Sequence, residues 1–120
     1  MKLFLVRHGR TIANIMGALD TAFPGNSLDA TGLTQAASLP GRLEAGGHLD
    51  AVSSLWTSPI ARARETIAPV ERATGLSAHV ESGLREVLAG DLEMRTDARS
   101  VACYTDTTRA WMIGRTAARL

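Results

Sequence analysis

The chain is poor in several things at once. It holds a single cysteine, Cys103, which excludes an internal disulfide and a zinc cluster and suits a reducing, cytoplasmic setting. It holds a single lysine, Lys2, the remaining cations being arginines; a composition bias explains that more simply than any wholesale functional role. Charge of one sign is not in excess. The net +1 gives no argument for a nucleic-acid or membrane-surface partner. No apolar run could span a bilayer, and the one after Lys2 is interrupted by Arg7 before it could form a signal-peptide core. Internal repeats, low-complexity tracts and charge-block linkers are also lacking. What remains is one domain over residues 1–120, 45% hydrophobic and so equipped for a core.

Residues 2–7 predict a buried strand: Leu3, Phe4, Leu5 and Val6 are apolar and are followed at once by Arg7-His8-Gly9. A strand running into a Gly-containing turn sets that polar trio at its carboxyl edge, where open α/β sheets bind ligands. A cation beside an imidazole there points to an anion site holding a nucleophile. Arg7 offers a planar fork to two oxygens of an anion. Gly9 lets backbone N–H groups approach an oxyanion with no Cβ in the way.

Residues 12–30, with two glycines, a proline and two asparagines, predict a long loop leaving the site, a candidate substrate-facing wall. A helix is expected from Thr31, with Leu33, Ala36, Ala37 and Leu43 on its buried face, broken or kinked at Pro40-Gly41 and ended by Gly46-Gly47. Ala51–Thr57 predicts a second strand. Ser58-Pro59 then signals a helix start, with Ile60, Ala63, Ile67 and Val70 buried and Gly75 as the stop. Arg62 falls in that helix's first turn, where the positive end of the dipole favours an anion. Ser77–Glu81 predicts a third strand, residues 83–99 a polar connection, and Val101–Leu120 a last helix with Tyr104, Trp111 and Ala118 near one face. Strand–helix alternation of this kind predicts an α/β fold with a largely parallel sheet.

Four stretches taken in order resemble one family. They are Leu5-Val6-Arg7-His8-Gly9-Arg10-Thr11, residues 28–36 (LDATGLTQA), residues 57–66 (TSPIARARET) and residues 84–93 (LREVLAGDLE). Together they resemble the signatures of the histidine phosphatase superfamily, which includes cofactor-dependent phosphoglycerate mutases and many small phosphatases. The resemblance implies a three-layer α/β fold of the phosphoglycerate mutase-like type with a mostly parallel sheet. It implies phosphomonoester hydrolysis through a phosphohistidine on His8, with Arg7, Arg62, Asn14 and Gly9 binding phosphate and Glu86 protonating the leaving oxygen. A carboxyl in that role needs burial and nearby negative phosphate to stay protonated. Thr11 is left to fix the turn, Arg85 and Glu93 read as solvated charges, and His48 and His79 have no such context. The implied substrate is a phosphorylated small molecule, with no metal and no cofactor.

The family's second His-Gly pair, well toward the C-terminus, has no counterpart here, since Arg7-His8-Gly9 contains the only one. The resemblance therefore implies a sheet incomplete at its C-terminal part, a gap between the first and second strands, and association through unpaired edges. It also implies that the chain is the N-terminal portion of a longer protein. Arg95 and Arg99 are the only cations after Glu86 that could serve a mutase's second phosphate grip, so hydrolysis is favoured over mutase-type transfer. A non-catalytic phosphate-binding or interaction fragment is the competing reading, and an unstable, inactive fragment the third.

Overall fold

In the computed structural model, which describes residues 1–120, four helices and two strands follow in the order α1 (Ile12–Met16), α2 (Ala30–Ala45), β1 (Trp56–Thr57), α3 (Ala61–Thr74), β2 (His79–Val80) and α4 (Ala98–Met112). β1 and β2 pair in parallel, Trp56 opposite His79 and Thr57 opposite Val80, with α3 as the crossover that parallel pairing requires. The α/β class with a parallel sheet is therefore as expected, in a sheet of two short strands. Bonds from His79 N–H to the Leu55 carbonyl (2.8 Å) and from Glu81 N–H to the Thr57 carbonyl (2.9 Å) extend the pairing on both sides. The Trp56 and His79 rings stack across it at 4.6 Å.

The strand expected at residues 2–7 is absent. No backbone group of Leu3–Arg7 has a hydrogen-bond partner within the chain, and Leu3 and Leu5 are 78% and 89% exposed. An apolar run becomes a strand only when a ladder partner takes its N–H and C=O groups, and none lies beside it here. Phe4 rests against the His48 ring, at 4.8 Å between centroids.

The loop expected at 12–30 contains α1. Thr11 caps it and Asn14 answers, Thr11 Oγ1 accepting from Asn14 N–H and Asn14 Oδ1 accepting from Thr11 N–H. Helix α2 runs unbroken through Pro40, and Asp29 Oδ1 caps it by accepting from Gly32 N–H at 2.7 Å. Its buried face keeps Ala36 of the expected set but is turned from Leu33 and Ala37 toward Gly32. Gly32 and Ala36 are inside, while Leu33 and Ala37 are exposed. The reason is contact distance: a Cβ on Gly32 would lie 2.1 Å from the Arg10 carbonyl oxygen, and one on Gly9 2.7 Å from the Gly32 carbonyl oxygen. Two glycines thus let the chain after His8 lie directly on the start of α2.

Helix α3 begins at Ala61, with Ile60 rather than Ser58 as its cap. The Ser58 hydroxyl is enclosed without a partner, and the Pro24 carbonyl takes the Ala61 N–H at 2.9 Å instead. Arg62, Thr66 and Val70, four residues apart, form its most buried stripe; Ala63 and Ile67 are only half-buried. α2 packs chiefly on α3. Helix α4 stops at Met112 rather than continuing to Leu120. Gly114, at φ +85°, turns the chain back so that Trp111 Nε1 donates to the Ala118 carbonyl (2.9 Å) and Thr107 Oγ1 to the Arg119 carbonyl (3.2 Å). The tail thus folds back onto Trp111 and Thr107. The enclosed apolar residues are few: Ala13, Leu28, Ala36, Leu55, Ile60, Val70 and Ala89.

Candidate phosphate site

Arg7, His8, Asn14, Arg62 and Glu86, far apart in the sequence, border one cavity of about 290 Å³, together with Asp20 and Tyr104. A larger space of about 390 Å³ shares Arg7, His8 and Asn14 with it and runs over Val6, Leu39 and Arg42. The smaller cavity is the chemically richer one, because both arginines of the sequence reading meet the histidine there.

His8 is half-buried, with Nδ1 2.7 Å from the Gly9 carbonyl oxygen. A carbonyl only accepts, so Nδ1 carries the hydrogen and Nε2 keeps its lone pair. Burial, the largest influence, pushes the imidazole pKa below its usual 6.5. Arg62 and Arg7 push it further down, against the opposing Gly9 bond and Glu86. The ring is thus held neutral with a nucleophilic nitrogen free.

Arg7 is exposed, borders the cavity and has no hydrogen-bond or ion-pair partner in the chain, so its guanidinium is uncommitted. Asn14 spends its Oδ1 on the Thr11 N–H and hydroxyl, which leaves its Nδ2–H₂ uncommitted at the cavity. Arg62 is enclosed, and two of its five N–H donors are taken: Nη1 by Asp20 Oδ2 at 3.3 Å and Nη2 by the Asp20 carbonyl at 2.9 Å. Three donors remain.

Gly9 differs from its expected part. It is buried and its N–H donates to Thr66 Oγ1 at 3.0 Å, so that donor is not free for an anion; the missing Cβ is explained by the Gly32 contact instead. Glu86 borders the cavity but is exposed, without the burial that its proposed part calls for. Tyr104 Oη lies 2.7 Å from the Val87 carbonyl, to which it donates, and 3.3 Å from Glu86 Oε1. Burial and then the Glu86 charge push its phenol up to about 12.

Two residues to which the sequence reading assigns no part in the site, Glu93 and Asp20, shape it. Glu93 is not a solvated charge. Its carboxylate accepts from the N–H groups of Thr21 (2.6 Å) and Ala22 (3.0 Å) and from the Thr21 hydroxyl, which in turn accepts from Ala89 N–H at 2.8 Å. With the reciprocal backbone bonds Leu19 N–H to Arg95 C=O (3.1 Å) and Met94 N–H to Leu19 C=O (2.9 Å), it fastens residues 19–22 to residues 89–95. Asp20 is thereby brought to Arg62. Arg95 pairs with Asp97 at the surface, away from the cavity.

The family model of the histidine phosphatase superfamily (branch 1) matches residues 3–119. The chain belongs to that superfamily. Among its relatives, a PE-PGRS family protein of Mycobacterium tuberculosis is 36% identical over 88 residues, 73% of this chain and 15% of its own length. A probable phosphatase of Schizosaccharomyces pombe is 39% identical over 94 residues, 78% of this chain and 43% of its own. Among solved structures, a mycobacterial glucosyl-3-phosphoglycerate phosphatase complexed with VO3 superposes with a TM-score of 0.69 at 27% identity, covering 87% of this chain and 49% of that one. The fold is thus that of the phosphoglycerate mutase-like proteins. The chain spans about half the length of the matching solved structure and less than half of either curated relative.

Proposed function

We propose that the cavity at His8 is the site of a phosphomonoesterase acting through a phosphohistidine. The observation that carries this reading is the convergence of a neutral imidazole, with its Nε2 lone pair free, on the same cavity as two guanidiniums and an uncommitted amide. Phosphoryl transfer asks of a protein mainly positioning and charge stabilisation. Arg7, Arg62 and Asn14 supply both for the phosphoryl oxygens.

In the first step Nε2 attacks phosphorus. The P–O bond to the leaving group breaks, and a protonated Glu86 gives its proton to the departing oxygen. In the second step water attacks phosphorus, Glu86 takes the water's proton, and the P–N electron pair returns to Nε2 as inorganic phosphate leaves. Gly9 acts as scaffold in this scheme. A phosphorylated small molecule is the substrate class that the family and its phosphatase members support.

Phosphate binding without turnover is the second reading, and the exposure of Glu86 is what favours it. Turnover of a generic phosphomonoester by the wild type and by His8→Ala separates the two, with acid-labile, base-stable phosphate on the protein as the sign of the intermediate. Equal turnover by both proteins would sink the nucleophile assignment. Vanadate binding by a folded wild type without turnover would leave the second reading standing.

A further inference from the structure

Asp20 borders the cavity yet has no part in the scheme above. Its side chain is 10% exposed and pairs with an Arg62 side chain that is 5% exposed. Oδ2 takes three donors: Arg62 Nη1 at 3.3 Å, Asn26 N–H at 2.9 Å and Asn26 Nδ2 at 3.0 Å. Each carboxylate oxygen offers about two lone-pair sites, so Oδ2 is saturated. Oδ1 takes no donor from the chain. The only enclosed side-chain polar atom without a partner is Ser58 Oγ, so Oδ1 is not fully enclosed, and Asp20 is one of the residues that border the cavity.

A phosphate dianion cannot rest against that oxygen without like-charge repulsion in a partly enclosed space. It is therefore directed toward Arg7, His8 and the guanidinium of Arg62. The carbon skeleton of a bound ester is left beside Oδ1. A group that donates a hydrogen bond satisfies the carboxylate there, an apolar group leaves it unmet, and a second anion is repelled.

Resting on the phosphate-site reading, we propose that Asp20 determines specificity. Oδ1 accepts a hydrogen bond from a hydroxyl or ammonium near the phosphate, so the site takes phosphomonoesters of polyols or amino alcohols and discriminates against those bearing a carboxylate. Hydrogen bonds to charged groups are strong enough to make such a preference about tenfold.

The test is calorimetric binding to the 120-residue chain of inorganic phosphate, glycerol phosphate, ethyl phosphate and phosphoglycerate. The wild type is expected to bind glycerol phosphate about tenfold more tightly than ethyl phosphate, and phosphoglycerate more weakly than either. In Asp20→Asn, inorganic phosphate binds more tightly, the glycerol phosphate advantage shrinks severalfold and the penalty on phosphoglycerate disappears. Ethyl phosphate bound as well as glycerol phosphate by the wild type overturns the proposal. So does an unchanged ranking in the variant, or weaker inorganic phosphate binding by a folded variant, which would reduce Asp20 to a support for Arg62. Should Asp20→Asn fail to fold, the wild-type ranking decides alone. Absence of inorganic phosphate binding by the folded wild type removes the phosphate site itself and this inference with it.

Discussion

His8 shows how one backbone bond can select a chemistry. With Nδ1–H fixed on the Gly9 carbonyl and the pKa lowered by burial, the ring stays neutral through the range where a free histidine begins to charge. The linkage sign follows: above pH 6.5 neither folded nor unfolded His8 is charged. As the pH falls through 6.5 toward the lower folded value, the unfolded state binds its proton first and stability is lost. An NMR titration of the His8 Hε1 resonance is therefore expected to show a midpoint below 6.5, and a midpoint above it would contradict the burial argument. At the same scale, Gly32 tolerates nothing larger. Gly32→Ala sets a methyl 2.1 Å from the Arg10 carbonyl, and the shift needed to relieve it should cost about 1–3 kcal/mol of stability, read from chemical denaturation. The loss would also move the Arg7–Arg10 segment, so phosphate affinity should fall with it.

Among the elements, the helices were the readable part. The apolar spacing of 30–45 and 61–74 and the glycine after each gave α2 and α3 nearly whole. Their buried faces are legible only in part: Ala36 and Val70 follow the apolar period, whereas Gly32, Arg62 and Thr66, which are small or polar, leave no hydrophobic period to read. α1, five residues long, is too short to carry an apolar period, and Thr11 and Asn14 at N-cap and N3 are its only local signal. The apolar run at 2–7 predicts a strand but cannot report whether a ladder partner exists. In the site, Arg7, His8, Asn14, Arg62 and Glu86 stood out through local motifs. Glu93 closes the 84–93 motif yet reads there as a solvated charge, Tyr104 reads only as part of a helix face and Asp20 carries no signal, since each acts on residues between 17 and 72 positions away.

Glu93 carries the clearest prediction for an element. Glu93→Gln replaces one acceptor oxygen by an amide that faces donors, which should cost about 1–3 kcal/mol and speed hydrogen exchange at the Thr21, Ala22 and Ala89 amides, while α2 and α3 exchange as before. Uniform loss of protection would show instead that the segment is no separate unit. α4 has its own acid limit. Asp97 accepts from the Ser100 hydroxyl and N–H, which, with Arg95, hold its pKa at about 2 against 3.8. This cap's contribution is full above pH 3.8 and is lost as the pH falls toward 2, so α4 amides should lose protection across that window and Asp97→Asn should flatten the response.

For the molecule as a whole, enclosure is limited. The radius of gyration is 16.1 Å, where about 14 Å is usual for 120 compact residues. Few apolar residues are enclosed, whereas Leu3, Phe4, Leu5, Val6, Trp56 and Val80 are exposed. The unpaired backbone of Leu3–Arg7 lies within that apolar surface, and β1 is paired on one side only. Unpaired N–H and C=O groups flanked by apolar side chains are a template for pairing with another chain. The 120-residue chain in isolation is therefore expected to self-associate as its concentration rises, read by sedimentation velocity. Leu5→Lys tests the cause, because Leu5 is 89% exposed and its replacement removes no core contact. A charge there should lower the association while leaving the far-ultraviolet helix signal unchanged. A wild type that stays monomeric at every concentration, or a variant that associates equally, would assign the exposed segment no part in association.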